Sequence, residues 1–340
     1  MSQFPIAFDM SPTGPGYSPG VQQATRGLFE ALCASGELEW IGLEPPDPKH
    51  SSLLWRQLKL PSRAAKLGCV GLHSPVSAFP WRTRLPVVHT VHELPWRRGV
   101  EEHAGARHRF WAHRGSARAR ATICPAEHTA AELLVAQPRA RARVVHWGCE
   151  PQLLLRPLVS SEAREHLLQL GATRAKKALD CSIRALAGPQ LQELQLVFTG
   201  PSNPTSAAAL ALAAELGVEH RVRHVEHVPE AQLVELLAHA CALLCPSHSE
   251  GFGLPVLEAL ALGTPAVVRH ATAPSQWARG SVIEVRPEQP LEYAFGIRRA
   301  LDATPAERES LRAAAAGFTW ARAADQVRDV WNESLGSVSA

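Results

Sequence analysis

The chain contains no run of about 18 apolar residues, so no membrane-spanning helix is expected. Its first residues, Met1-Ser2-Gln3-Phe4-Pro5, lack the charged-then-apolar order of an export signal, and neither export nor insertion is indicated. Aspartate is scarce: the six are at 9, 47, 180, 302, 325 and 329, none two apart, which excludes a metal clamp of Asp-x-Asp type. The seven cysteines are odd in number and form no Cys-x-x-Cys pair, arguing against a disulfide framework or a zinc site and for a reducing cytoplasm. Cys241 and Cys245 read as small core residues. No base-stacking aromatic pattern accompanies the basic stretches, so nucleic acid is not an expected partner.

What is present suits a soluble globular protein. A length of 340 residues with 46% hydrophobic content suggests two domains, each of roughly 150 to 180 residues. The net charge of +3 is unevenly spread: between Arg97 and Arg143 ten arginines face four glutamates. Such a stretch fits an anionic membrane surface, a lipid-linked phosphate or an acidic acceptor, and equally a solvated helix face. It allows peripheral contact at the inner membrane face.

Strand and helix signals alternate, implying parallel sheets. Strands are expected at 4–10, 38–43, 69–72, 86–91, 121–124 and 143–146, with a Gly/Pro/Ser loop from Ser11 to Gly20 and helices at 21–33, at 101–119 and after a cap at His128-Thr129. A second series runs through strands at 166–171, 196–200, 222–225, 242–245, 266–268 and 282–285, with Lys176-Lys177 opening a helix and another helix at 207–216. Pro151 and Pro157 interrupt the pattern and mark a linker. A last helix begins near Trp320, and 336–340 reads as a frayed tail.

The most informative stretch is Glu250-Gly251-Phe252-Gly253-Leu254-Pro255-Val256-Leu257-Glu258. Two carboxylates eight positions apart flank a strand-to-helix turn, which can also be read as a plain turn capped by Glu. Pro255 suits the first turn of a helix, where its missing N–H costs nothing, and Gly251 and Gly253 permit unusual backbone angles and close ligand approach. A helix N-terminus with free amides favours a diphosphate, Glu258 can accept from a ribose diol, and Glu250 is left for sugar hydroxyls.

These residues resemble the Glu-x7-Glu signature of retaining glycosyltransferases of family 4. The resemblance implies an α/β chain of GT-B fold, with two Rossmann-like parallel-sheet domains facing a central cleft. Residues 1–155 would be the acceptor-side domain, joined by a C-terminal helix at 320–336, and 160–318 the nucleotide-sugar-binding domain. It extends to Gly20-Val21-Gln22-Gln23 in the first loop and helix, to His92-Glu93 at a strand end where the family has His-Asp, and to Gly171 through Ala178 as the phosphate segment. Lys177 matches the phosphate lysine and Lys176 stands where an arginine is usual. Ala172 replaces the second family cation, and Arg174 is a weak substitute. His92 would position the donor hexose, and Phe252 and Leu254 would join the glycines in the donor site. Gly16 and Gly20 are candidates for close approach by acceptor or phosphate, or simply turn residues.

The implied reaction moves a hexosyl group with retention from a nucleoside diphosphate sugar to a saccharide, lipid-linked or small-molecule acceptor. No metal and no other cofactor is expected, so cations and amide dipoles must stabilise the leaving diphosphate. Alternatives are a catalytically weak nucleotide-binding subunit serving a partner, suggested by Ala172 and Ala178, and a phosphorylase or epimerase on the same architecture.

Overall fold

A computed structural model describes residues 5–36, 38–46, 52–100, 105–171 and 173–336, and divides the chain into two compact units, Met1–Gly148 with Phe318–Ala340, and Cys149–Gly317. The leader reading at Met1 to Phe4, the opening residues of the helix expected at 101–119, Ala172 and the tail from 337 lie outside the described residues.

The first unit is a six-stranded parallel sheet of β1 (Ile6–Asp9), β2 (Trp40–Leu43), β3 (Gly71–Ser74), β4 (Val87–Thr90), β5 (Ala121–Cys124) and β6 (Ala142–Val144). Their order is β2-β1-β3-β4-β5-β6. The strands β1, β3, β4 and β5 are buried throughout, as expected of a sheet covered on both faces. The helix Pro19–Ser35 follows β1 and packs against the C-terminal helix Trp320–Gly336. Gly27 makes that approach close, since a Cβ there would lie 2.4 Å from the Trp320 ring.

Between β2 and β3 the chain is helical from Ser52 to Lys66, with a π turn at Trp55–Lys59. Pro61 accounts for the turn: it cannot donate to Gln57, and the wider turn, closed by the Leu60 N–H on the Trp55 carbonyl, accommodates its ring. The helix expected after a cap at His128-Thr129 starts instead at Glu127, and its N-cap residue Ala126 offers no side-chain cap.

The second unit holds β7 (His166–Gln169), β8 (Leu196–Thr199), β9 (Val222–Val225), β10 (Ala240–Cys245), β11 (Ala266–Arg269) and β12 (Ile283–Val285), all parallel, in the order β12-β11-β10-β7-β8-β9. The chain moves outward from β7 to β9, then returns to β10 on the other side of β7. Loops therefore leave the carboxyl ends of β7 and β10 in opposite directions, opening a crevice between them, the position where doubly wound sheets bind ligands.

One sequence expectation fails at this crevice. Lys176 and Lys177 do not open a helix but lie in the 3-10 turn Ala175–Lys177, and the helix Leu179–Leu186 starts only after Ala178, which is left-handed at φ 49°. The carbonyls that would continue a helix are taken: that of Lys176 accepts from the His248 N–H at 2.9 Å, and that of Lys177 from the Gln169 carboxamide at 2.8 Å.

Candidate functional site

The crevice of the second unit gathers groups from three segments. From β7 comes Gln169; after it comes the turn with Lys177; from the loop after β10 comes Glu250. Leu168 pairs with Leu243, so the ends of the two strands lie side by side.

Lys177 Nζ donates to Glu250 Oε1 at 2.6 Å, with side-chain exposures of 11% and 10%. Burial by itself would push the Glu250 carboxyl up, but the Lys177 ammonium, Lys176 and hydrogen bonds from Lys177 and Ser247 outweigh it and hold the group down at about 2. Burial also pushes the Lys177 ammonium down, and Glu250 with Cys245 more than restores it, so it stays charged above its ordinary value. The Cys245 thiol, buried beside the carboxylate, is pushed up to about 12 and donates weakly to Glu250 Oε1 at 3.8 Å. It is inert as a nucleophile.

The pair is held from behind. Gln169 is oriented by the Ser182 hydroxyl, which donates to its Oε1 at 2.7 Å and lies 3.1 Å from the Tyr293 hydroxyl. The loop carrying Glu250 is fixed by Arg269, whose Nε donates to the Pro246 carbonyl at 2.8 Å, and by the His248 N–H on the Lys176 carbonyl. Around the pair, Gln169, Cys245, Ser247, Gly253 and Pro255 enclose a cavity of about 10 Å³. That is room for about one water, so any larger ligand would lie over its mouth rather than inside it.

Gly253 is the N-cap of the helix Leu254–Ala261, at φ 88°, and a Cβ on it would lie 2.6 Å from Pro274 Cγ. Both the angle and the contact require glycine. The N-terminus is less open than expected, because Pro255 has no N–H and the Val256 amide already donates to the Gly253 carbonyl at 2.8 Å. Phe252 turns its ring inward, stacked on Trp277 with centroids 4.8 Å apart, and its carbonyl accepts from Trp277 Nε1 at 2.7 Å. It serves the turn's shape, and its neighbours Gly251 and Leu254 follow the same turn, with Leu254 buried. Glu258 is half-buried on the helix, and Lys176 is buried in the turn; neither lines the small cavity.

The remaining candidates belong to the first unit. His92 follows β4 and points its Nε2 at the Pro75 carbonyl, 2.8 Å away. A carbonyl only accepts, so Nε2 carries the proton and Nδ1 is left as an acceptor. Burial pushes the imidazole's pKa down, so at neutral pH it is uncharged. Gly16 is exposed at φ 92°, and Gly20 is exposed in the first turn of the helix Pro19–Ser35; a Cβ on either would meet nothing within 4 Å. The turn explains the first glycine, and nothing in the backbone explains the second.

Sequence reasoning passed over a buried cluster at the carboxyl end of β1. Asp9 accepts from Arg56 Nε at 2.7 Å, from Trp55 Nε1 at 2.9 Å and from the Ser11 N–H at 3.1 Å, and Arg56 Nη2 donates to the Ser11 hydroxyl. The signal was an aspartate ending the first strand of a chain that has so few. A larger hollow of about 440 Å³ lies at the amino end of β7, lined by His166, Arg223 and His239 among others. It sits at the end of the sheet opposite to the one that binds ligands in this architecture.

The segment 154–317 matches the family model described as glycosyl transferases group 1, and 34–153 matches the model for glycosyltransferase family 4. The chain belongs to glycosyltransferase family 4. A D-inositol 3-phosphate glycosyltransferase of Acidothermus cellulolyticus is 33% identical over 220 residues, which is 57% of this chain and 48% of that one. The chain thus spans about half the length of such curated relatives. Among solved structures, sucrose-phosphate synthase from Thermosynechococcus elongatus aligns with a TM-score of 0.79 at 21% identity, covering 98% of this chain and all of that one. Anabaena HepE in complex with UDP and glucose aligns at 0.74 with 15% identity, covering 97% and 100%. At these identities the structures establish the fold, which for this family 4 chain is GT-B.

Proposed function

We propose that the protein is a retaining glycosyltransferase that moves a hexosyl group from a nucleoside diphosphate sugar to a saccharide, lipid-linked or small-molecule acceptor without a metal ion. The observation that carries the reading is the buried Lys177–Glu250 pair at the ligand-binding crevice of the second sheet. A charged lysine kept beside a carboxylate can turn part of its field to a leaving diphosphate, and a carboxylate held at about 2 stays an acceptor for sugar hydroxyls at any physiological pH. Lys176 adds a second positive charge within range of Glu250. The glycines 251 and 253 let backbone approach the donor, with Phe252 and Leu254 shaping the turn, and Glu258 accepts from the ribose.

In this reading the second unit takes the donor and the first takes the acceptor, with His92 offering Nδ1 to a sugar hydroxyl and the Gly16 to Gly20 loop leaving space for phosphate or acceptor. The acceptor oxygen bonds to the anomeric carbon on the face from which the diphosphate departs, the bond from carbon to phosphate oxygen breaks, and the acceptor's proton passes to that oxygen. Glu250 is then a binding group, unlike the paired acid and base of a glycosidase. HepE, similar in fold, is crystallised with UDP and glucose, which favours a uridine donor as the first to try.

A thermal-shift screen against nucleoside diphosphates and their sugars tests the donor, and proton NMR of the product anomer with chelator present tests retention and metal independence. Absence of any stabilising nucleotide overturns the reading. Binding without transfer would indicate a partner subunit, and release that depends on phosphate a phosphorylase.

A further inference from the structure

Two stretches of the first unit carry cations and no acids of their own; the exposed Glu44 lies beside the first, where its carbonyl accepts from Arg63 at 3.0 Å. From Leu53 to His92 and from Gly105 to Arg120 there is no aspartate or glutamate, while Lys59, Lys66, Arg82, Arg107, Arg114 and Arg118 are all exposed. Soluble surfaces usually intersperse the two signs.

The first stretch also exposes apolar side chains. The helix from Ser52 to Lys66 buries Trp55, Leu60 and Ala64 in a core shared with Phe79 and Trp111. It also turns Leu53, Leu54 and Leu58 outward, at 52%, 53% and 64% exposure. The inward set explains why the helix folds; the outward leucines are not part of that core cluster. Leu54 and Leu58, one turn apart, share a side with Gln57, which donates to the Phe79 carbonyl at 2.8 Å and accepts from the Trp81 N–H at 2.9 Å. Trp81 in turn packs on the exposed Phe110 with centroids 5.1 Å apart, under the Arg118 guanidinium at 5.2 Å. Leucines, two aromatic rings and cations thus form one continuous strip.

This strip is not the Arg97–Arg143 run of the sequence. Arg98 is paired with Glu132 at 2.8 Å and Arg143 with Glu333 at 3.0 Å, so two arginines near the ends of that run are already matched by acids. The leucine-bearing helix, which lies outside the run, joins its middle.

We infer that this face docks on an anionic lipid bilayer, with the leucines and Phe110 entering the boundary of headgroups and acyl chains and the cations meeting lipid phosphates. Charge complementarity selects an anionic partner, and the leucines select one that is apolar just beneath its charge. A nucleic acid would use the cations and could stack on the rings but would leave the leucines in water. No helix among the described residues is long and apolar enough to cross a membrane, so the contact is lateral. The inference extends the glycosyltransferase reading by putting lipid-linked acceptors first, but the docking does not depend on activity.

Co-sedimentation of the full chain with vesicles of phosphatidylcholine, with and without 30% phosphatidylglycerol, tests it. Binding is expected only to the anionic vesicles and should weaken with salt. Each basic residue at such a surface is worth about a factor of five, so Lys59→Gln with Lys66→Gln should weaken binding roughly 30-fold. Leu54→Ser with Leu58→Ser should weaken it at least about tenfold, with the melting temperature and the nucleotide-induced shift unchanged because these side chains lie outside core and crevice. No anionic-vesicle binding at low salt, equal binding to both vesicles, or the leucine variant binding as tightly as the parent would overturn it. The last outcome, with equal retention on an RNA oligonucleotide, would reassign the face to polyanions. A loss of the nucleotide shift in the parent would instead count against the donor reading.

Discussion

Glu250→Gln separates the stability of the crevice from its chemistry. The Glu250 carboxyl moves from an ordinary 4.5 down to about 2 on folding, and at about 1.4 kcal/mol per unit that is about 3 kcal/mol. Because the folded value lies below the unfolded one, this stabilisation is complete above about pH 5 and is lost as the pH falls toward 2. The amide cannot titrate, so the variant should be weaker at pH 7 and should lack this acid dependence. It also leaves the buried Lys177 ammonium without its counter-charge, which brings the expected loss to roughly 3 to 5 kcal/mol.

Tryptophan fluorescence is a poor probe here: eight of the nine tryptophans lie in the first unit and only Trp277 in the second. Urea unfolding read by pulsed hydrogen exchange in peptides of β7 and β10 resolves the second unit by itself. Adding Lys177→Met to Glu250→Gln removes both charges at similar volume and should recover most of the lost stability. If the pair serves the reaction, the double variant folds well and does not turn over. Equal urea midpoints for parent and Glu250→Gln at pH 7 would refute the electrostatic argument, and a double variant with near-parental turnover would reduce the pair to architecture.

Two further substitutions probe the supports. Gly253→Ala meets both a positive φ and a 2.6 Å contact with Pro274, and should cost about 2 to 4 kcal/mol while disturbing the Phe252–Trp277 stack, visible as altered hydrogen exchange in the helix Leu254–Ala261. An unchanged exchange pattern would show that the turn adjusts freely. His92→Ala should lower kcat by about two orders of magnitude if the ring positions donor or acceptor, with little effect on nucleotide affinity; a full loss of nucleotide-induced stabilisation would contradict its placement on the sugar side.

The fold was legible because its signals are local and repeated. Short β-branched strands alternating with helices dictate parallel sheets, and the strands at 121–124 and 222–225 coincide with those observed. What escaped were features made by distant partners. The 3-10 turn at Lys176 and Lys177 exists because Gln169 and His248 capture its carbonyls, contacts with partners 8 and 72 positions away that no local pattern records. The Asp9–Arg56 pair joins residues 47 positions apart. The inward turn of the Phe252 ring depends on Trp277, and the outward leucines of the helix from Ser52 fell in a segment whose π turn blurs the helical period. The carboxylate spacing drew attention to Glu250 and Glu258 together, yet only Glu250 lines the small cavity, because residues before the helix can reach the strand ends while Glu258 is carried along its axis.

Burying an ion pair is a costly way to gain stability, since desolvation of two charges offsets most of their attraction, and a pair of apolar residues would serve a core better. The Lys177–Glu250 pair is nevertheless supported by a chain of neutral donors and acceptors running from Tyr293 through Ser182 and Gln169 to the Lys177 carbonyl. That chain fixes the backbone on which the ammonium stands. In a site where negative charge must build up on a departing phosphate, a cation already desolvated and already oriented needs little reorganisation when the bond breaks. The cost in stability is then concentrated where the chemistry needs a fixed positive field, and restoring an apolar pair there should strengthen the fold while removing the field.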